Sequence, residues 1–272
     1  MRTTPRDIQL LYWLEKLSFL STSMVSSFMF NNNIKVARRR LAILKRNNYL
    51  LSFDKPSHVQ GRLEQVYYLN RQKEHAIRRL LNFKPSFFKL SKNLIIEHDL
   101  EVNNFILSLS SACNKTKEYS LESFSVAHKA SDLKENLPAI SSDIIPDFMV
   151  VIANNKKSKS LLFGELDRGT HAIQRSSGNK DIVTKISAYS EYLVNQKFTH
   201  FCETFNFPFK GFRVLFIVPS ETRLKNILDL NKKAGALLWL TSEKITPENV
   251  LSNIWHVPQR AELQAIVKGA NL

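Results

Sequence analysis

Along residues 1–90, apolar positions recur first in helical steps and then in alternation. Ile8, Leu11, Leu14 and Leu17 fall on one helical face, with Thr4 placed to cap, Pro5 at the first helical position and Asp7 near the positive helix end. Phe19-Leu20 breaks that period. Ser21-Thr22 then caps a second short helix through Met24, Val25 and Phe28, and Asn31-Asn32-Asn33 is a turn signal. A third helix carries Ile34, Ala37, Leu41 and Leu44 on one face and ends at Asn47-Asn48. Two strand-like runs follow, 49–53 and 65–69, joined by a polar loop with Lys55, Pro56, Gly61 and Arg62. A helix over 71–81 comes next.

Composition shifts around Pro85, so residues 84–92 read as a linker between a module over 1–83 and another over 93–272. The second module opens with a long helix to about residue 113, whose apolar set includes Leu94, Leu100, Phe105 and Leu109. A strand over 119–128, a polar excursion over 129–142, and two strands over 144–152 and 160–166 with a basic turn between them come next. A helix over 180–202, an apolar strand over 212–218, a helix over 221–234 and a strand over 236–241 complete the pattern. That order predicts a three-layer α/β domain with a mixed sheet. Phe201, Phe205, Phe207, Phe209 and Phe212 read as packing rather than a base-stacking platform.

Composition narrows the class. A chain of 272 residues with 43% hydrophobic content can bury real cores, and 7 Gly and 2 Cys exclude collagen and disulfide scaffolds. Cys113 and Cys202 are far apart and point to a reducing, cytoplasmic setting. No apolar run approaches the length of a membrane span, and Arg2, Arg6, Asp7, Glu15 and Lys16 interrupt any signal-peptide core.

Charge changes the picture more. The net is +15, and residues 1–90 hold 17 Lys+Arg against 5 Asp+Glu, a net of +12. A solubilising surface is the plainer alternative, but a basic module is the usual footprint of nucleic-acid binding. Three helices and then a hairpin is the order of a winged helix-turn-helix, whose third helix fits the major groove. Lys35, Arg38 and Arg39 are the first candidates for the groove, with Arg40, Lys45 and Arg46 beside them. Lys55 and Arg62 of the hairpin loop are candidates for the adjacent backbone or minor groove. Some of these arginines could instead brace the domain, and winged helices also bind proteins.

In the second module the chemistry is a sparse set of acids. Pairing the two central strands would bring Asp147 close to Glu165, and alternation puts Glu165 and Asp167 on one face with Leu166 opposite. Carboxylates at one sheet edge suit Mg²⁺, which could polarise a phosphodiester and supply hydroxide, with a lysine beside it to stabilise charge. The plain alternative is surface carboxylates paired with Arg168. The seven His show no metal-ligand spacing, and neither a phosphate-binding Gly-Lys loop nor a Gly-x-Ser-x-Gly elbow is present.

Pro146-Asp147, a hairpin and then Glu165-x-Asp167 resemble the PD-(D/E)xK nuclease core, whose motif ends in Glu-x-Lys. The whole chain resembles the bacterial replication-relaxation family of plasmids and other mobile elements. The resemblance is carried by Arg6-Asp7, Arg39-Arg40-Leu41 with Leu44, Tyr67-Tyr68-Leu69, and His98-x-Leu100-x-Val102-Asn103-x-Phe105. It continues through Pro146-Asp147, Glu165-Leu166-Asp167-Arg168-Gly169-Thr170, Lys185 with Tyr189, and Ile254-Trp255. It implies an α/β (α+β) protein, a winged helix-turn-helix followed by a restriction-endonuclease-like domain, acting on DNA in replication, relaxation or mobilisation. Asp167 stands where the nuclease motif has lysine. Some relatives of that fold carry the lysine on the following helix, so Lys185 is the candidate, with Lys180 behind it. Glu101 or Glu97 would add the acidic ligand that the first helix of the domain often gives. The implied catalytic set is Asp147, Glu165, Asp167 and Lys185, and the implied Mg²⁺ ligands are Asp147, Glu165 and Glu101. The expected partners are double-stranded DNA, replication or relaxase proteins and a second copy of the chain, with no membrane. Two alternatives stand beside site-directed DNA binding. One is a Mg²⁺-dependent endonuclease or nickase using Asp147 and Glu165. The other is a transcriptional regulator whose second domain dimerises without catalysis.

Overall fold

The computed structural model describes residues 3–56, 63–88, 96–128, 138–141, 144–169, 172–173 and 181–267. They form an α+β protein with a three-stranded antiparallel sheet and a five-stranded mixed sheet. Two compact units divide the chain, Met1–Asn104 with His128–Asp132 and Phe105–Ala127 with Leu133–Leu272. No helix among the described residues is long and apolar enough to cross a membrane.

In the first unit, α1 (Pro5–Leu17) starts as its sequence predicts, with Thr4 and Asp7 in a reciprocal capping box and Pro5 in the first turn. Leu10, Leu11, Leu14 and Leu17 are buried. The break at Phe19-Leu20 is a strand, β1 (Phe19–Ser21). Three residues are too few to show an alternation, so the pattern missed it. Next, α2 (Thr22–Met29) is capped by the Ser21 hydroxyl, which accepts from the Met24 N–H. In α3 (Ile34–Arg46), capped by Asn33, Ala37, Leu41 and Leu44 are buried. The hairpin strands β2 (Leu50–Pro56) and β3 (Leu63–Leu69) are longer than predicted, and β3 lies between β1 and β2. The expected helix over 71–81 is divided. Asn70 caps a tight turn over Arg71–Lys73, and α4 (Glu74–Leu81) follows.

A helix, α5 (Ile96–Thr116), contributes its later residues Phe105, Ile106 and Leu109 to the core of the second unit. The strands β4 (Tyr119–Val126), β5 (Phe148–Asn154) and β6 (Lys159–Leu166) pair antiparallel. The strand expected from residue 144 begins only at Phe148: Ile144 turns back to bridge Ser141, and Pro146 has no N–H to give a ladder. Most of the polar excursion over 129–142 lies outside the described residues. The expected helix over 180–202 is α6 (Ile182–Val194), a tight turn over Lys197–Thr199 and α7 (His200–Thr204). The break falls at Gln196, whose φ of 53° lies in the left-handed region. Then come β7 (Arg213–Ile217), α8 (Glu221–Leu230) and β8 (Leu238–Thr241). The sheet order is β4-β5-β6-β7-β8, with β6, β7 and β8 parallel.

Period-two alternation sorts the faces. Met149, Val151, Leu161 and Phe163 share a core with Ile186 and Tyr189 of α6 and Leu224 and Ile227 of α8. Phe148 points the other way and stacks on Phe105 of α5, ring centroids 4.4 Å apart. Gly164 lies under the Phe148 ring, and any Cβ there would overlap it.

Candidate functional site

The carboxylates collect where β6 ends. Asp147 precedes β5, and its N–H donates to the Gly164 carbonyl at 3.0 Å. Its Oδ2 accepts the Leu166 N–H at 2.7 Å, which ties Asp147 to the segment that carries Glu165. The Asp167 N–H continues toward β7, donating to the Ile217 carbonyl at 2.9 Å.

Two helices answer these acids with cations. Asp181 caps α6, which carries Lys185 and Tyr189 one turn apart. The Lys185 ammonium donates to Glu165 Oε2 at 2.6 Å, and the Tyr189 hydroxyl donates to Glu165 Oε1 at 2.6 Å. From α8, the Arg223 guanidinium forks onto both oxygens of Asp167. The same carboxylate accepts the Gly169 N–H at 2.9 Å, with Gly169 at φ +75°. The paired carboxylates therefore answer to Lys185 and Arg223.

Burial first, and then the charge of Asp147, push Glu165 up to about 7 against the pull of Lys185 and Tyr189. Burial alone would lower Lys185, but the Glu165 carboxylate beside it prevails and holds the ammonium above its ordinary value. Tyr189 is raised well above the ordinary phenol by burial and then by the charge of Glu165, so it acts as a donor. Lys185 thus stays cationic beside a Glu165 carboxyl that burial, and then the charge of Asp147, makes harder to ionise.

That residual negative charge is what a hard cation relieves. Mg²⁺ takes one or two carboxylates and completes its shell with water and phosphate oxygens. Asp147 and Glu165 supply that donor class. Asp167 is committed to Arg223, and Glu101 is an exposed residue of α5 in the first unit. Among the described residues no group of three or more His, Cys, Asp or Glu side chains could hold a metal ion. An ion here would therefore lean on its non-protein ligands. Lys180 lies outside the described residues.

The basic candidates separate by burial and partner. Lys35, Arg38, Arg39, Lys45 and Arg46 are exposed on α3. Lys45 also donates to the Ser52 hydroxyl at 2.7 Å. Arg40 is different: it forks onto Asp7, which ties α3 to the capping box of α1. Lys55 is 9% exposed on β2, and its ammonium lies 3.4 Å from Glu64. The Glu64 carboxylate also accepts the Ser23 N–H at the start of α2, so Lys55 braces the hairpin. Arg62 lies outside the described residues.

Sequence reading missed Arg223, which no short motif marks. It named Asn103 without a role. The buried Asn103 amide donates to the carbonyls of Leu17 and Phe19, closing the end of α1.

The replication-relaxation family model matches residues 11–205. The chain belongs to the replication-relaxation family. Comparisons with curated proteins and with solved structures each give no match.

Proposed function

We propose that this chain binds double-stranded DNA through α3 and acts in the replication, relaxation or mobilisation of a mobile element's DNA. One observation carries the reading: Lys35, Arg38, Arg39 and Arg46 stand exposed on a helix whose opposite side, Ala37, Leu41 and Leu44, is buried. Such a helix is free to enter a major groove while its scaffold stays intact. The element order around it is that of a winged helix-turn-helix, and family membership favours a DNA-directed role. Arg40 and Lys55 are read as braces rather than contacts. The test uses the full chain and fluorescence anisotropy on a labelled duplex. Replacing Lys35, Arg38 and Arg39 together by Ala should weaken binding by at least about tenfold. Unchanged affinity would sink the assignment.

A second reading, cleavage, is favoured by the meeting of Lys185 with Glu165 beside Asp147. Asp147 and Glu165 would hold Mg²⁺, which when bound polarises a phosphodiester and acidifies a water. Lys185 would keep a fixed positive charge next to the reacting phosphate, with Tyr189 holding Glu165 in place. Under this reading the full chain nicks supercoiled plasmid in Mg²⁺, and Asp147→Ala and Glu165→Ala abolish nicking while DNA affinity stays. No nicking by the unmodified chain removes this reading and leaves the first intact.

A further inference from the structure

The outer face of α3 holds more than cations. Lys35, Arg39, Ala42 and Arg46 follow one another along the exposed stripe, with Val36 beside Arg39 in the first turn. Val36 is 44% exposed. Valine is a mediocre helix former, and this one lies away from the buried set of Ala37, Leu41 and Leu44. It sits just after the Asn33 cap, its own N–H bonded to the Asn33 side chain at 3.1 Å, so the turn that presents it is fixed. The first turn of a groove-entering helix is the part that meets base edges. A branched apolar group there, with Arg39 three positions on, finds a good partner on a B-form duplex in the thymine 5-methyl. Ala42, exposed and small in the middle of the stripe, lets the helix approach closely without a long side chain in the way.

We infer that Val36 reads a thymine 5-methyl in the major groove, giving the protein a preference for thymine that its cations, suited to phosphates and guanine edges, do not supply. This rests on the DNA-binding reading of α3. Phosphate contacts by lysine and arginine set affinity and register but carry no sequence information.

The experiment separates the two claims. The full chain selects a duplex from a randomised library. That duplex is then made in two forms, one with thymine and one with 2′-deoxyuridine in every thymine position, which removes only the methyl. The unmodified protein should bind the deoxyuridine form about fourfold more weakly, the effect of losing one buried methyl contact. Val36→Ala, a substitution on an exposed helical position, should bind both forms alike. Equal binding of the two forms by the unmodified protein overturns the inference. So does a preference for thymine that survives in Val36→Ala, since another group would then read the methyl. In both cases the DNA-binding reading stands if the substitution of Lys35, Arg38 and Arg39 still collapses affinity. If no duplex is bound in a salt-sensitive way, the DNA-binding reading falls and this inference falls with it.

Discussion

Asp7, 1% exposed at the start of α1, accepts from both the N–H and the hydroxyl of Thr4 and holds Arg40. Burial would raise this carboxyl, but Arg40 and the Thr4 donors prevail and hold it below its ordinary 3.8. A carboxyl lowered by folding stabilises the native state above its unfolded value, and that contribution is lost as pH falls through the lowered folded value. Asp7→Asn should therefore cost roughly 2 kcal/mol at neutral pH and remove much of the acid sensitivity of the first unit. Hydrogen exchange of the α1 amides, followed against pH, checks this. A variant whose α1 protection declines in acid as steeply as the parent's would contradict it. The sequence makes Asp7 legible as a capping and dipole residue, because those roles are local. Its partner Arg40 stands 33 residues away and looks like one more basic residue on α3. The same limit hid Arg223, 56 residues from Asp167. Lys185 and Tyr189 were legible only through the family resemblance of the sequence, which sets them one turn apart after the acids.

Among the elements, the long periodic helices and the β5–β6 hairpin follow the hydrophobic pattern closely. Departures occur where a single backbone conformation decides. Gln196 stops α6 in a run that stays amphipathic, and Pro146 delays β5, which the pattern starts at Ile144, until Phe148. Gly164 shows how element packing restricts one position of β6. The Phe148 ring covers it from β5 and stacks in turn on Phe105 of α5. Gly164→Ala should destabilise the second unit by about 3 kcal/mol, since the ring cannot move without disturbing the α5 contact. Denaturant unfolding followed by the fluorescence of Trp239 and Trp255, both buried, measures it. A change below about 1 kcal/mol would mean that the ring relocates freely.

Over the whole molecule, charge and family pattern divide differently from the fold. Four-fifths of the net +15 lies in residues 1–90, whereas the acidic edge, with its own lysine and arginine, lies beyond residue 146. If α3 carries the phosphate contacts, log affinity should fall linearly with log salt. The triple replacement of Lys35, Arg38 and Arg39 should flatten that slope by up to about 3. A triple variant with the parental slope would place the phosphate contacts elsewhere. The family match ends at residue 205, yet β7, β8 and Arg223 all follow it. The parallel half of the larger sheet is thus completed by residues beyond the matched span. The fork between Arg40 and Asp7 has a kinetic meaning as well. Because it fastens α3 to the capped start of α1 in the unbound chain, the helix arrives already ordered and owes no folding entropy at the encounter. If α3 binds a duplex as proposed, capture is governed by diffusion and long-range attraction, and residence time by the close contacts made afterwards.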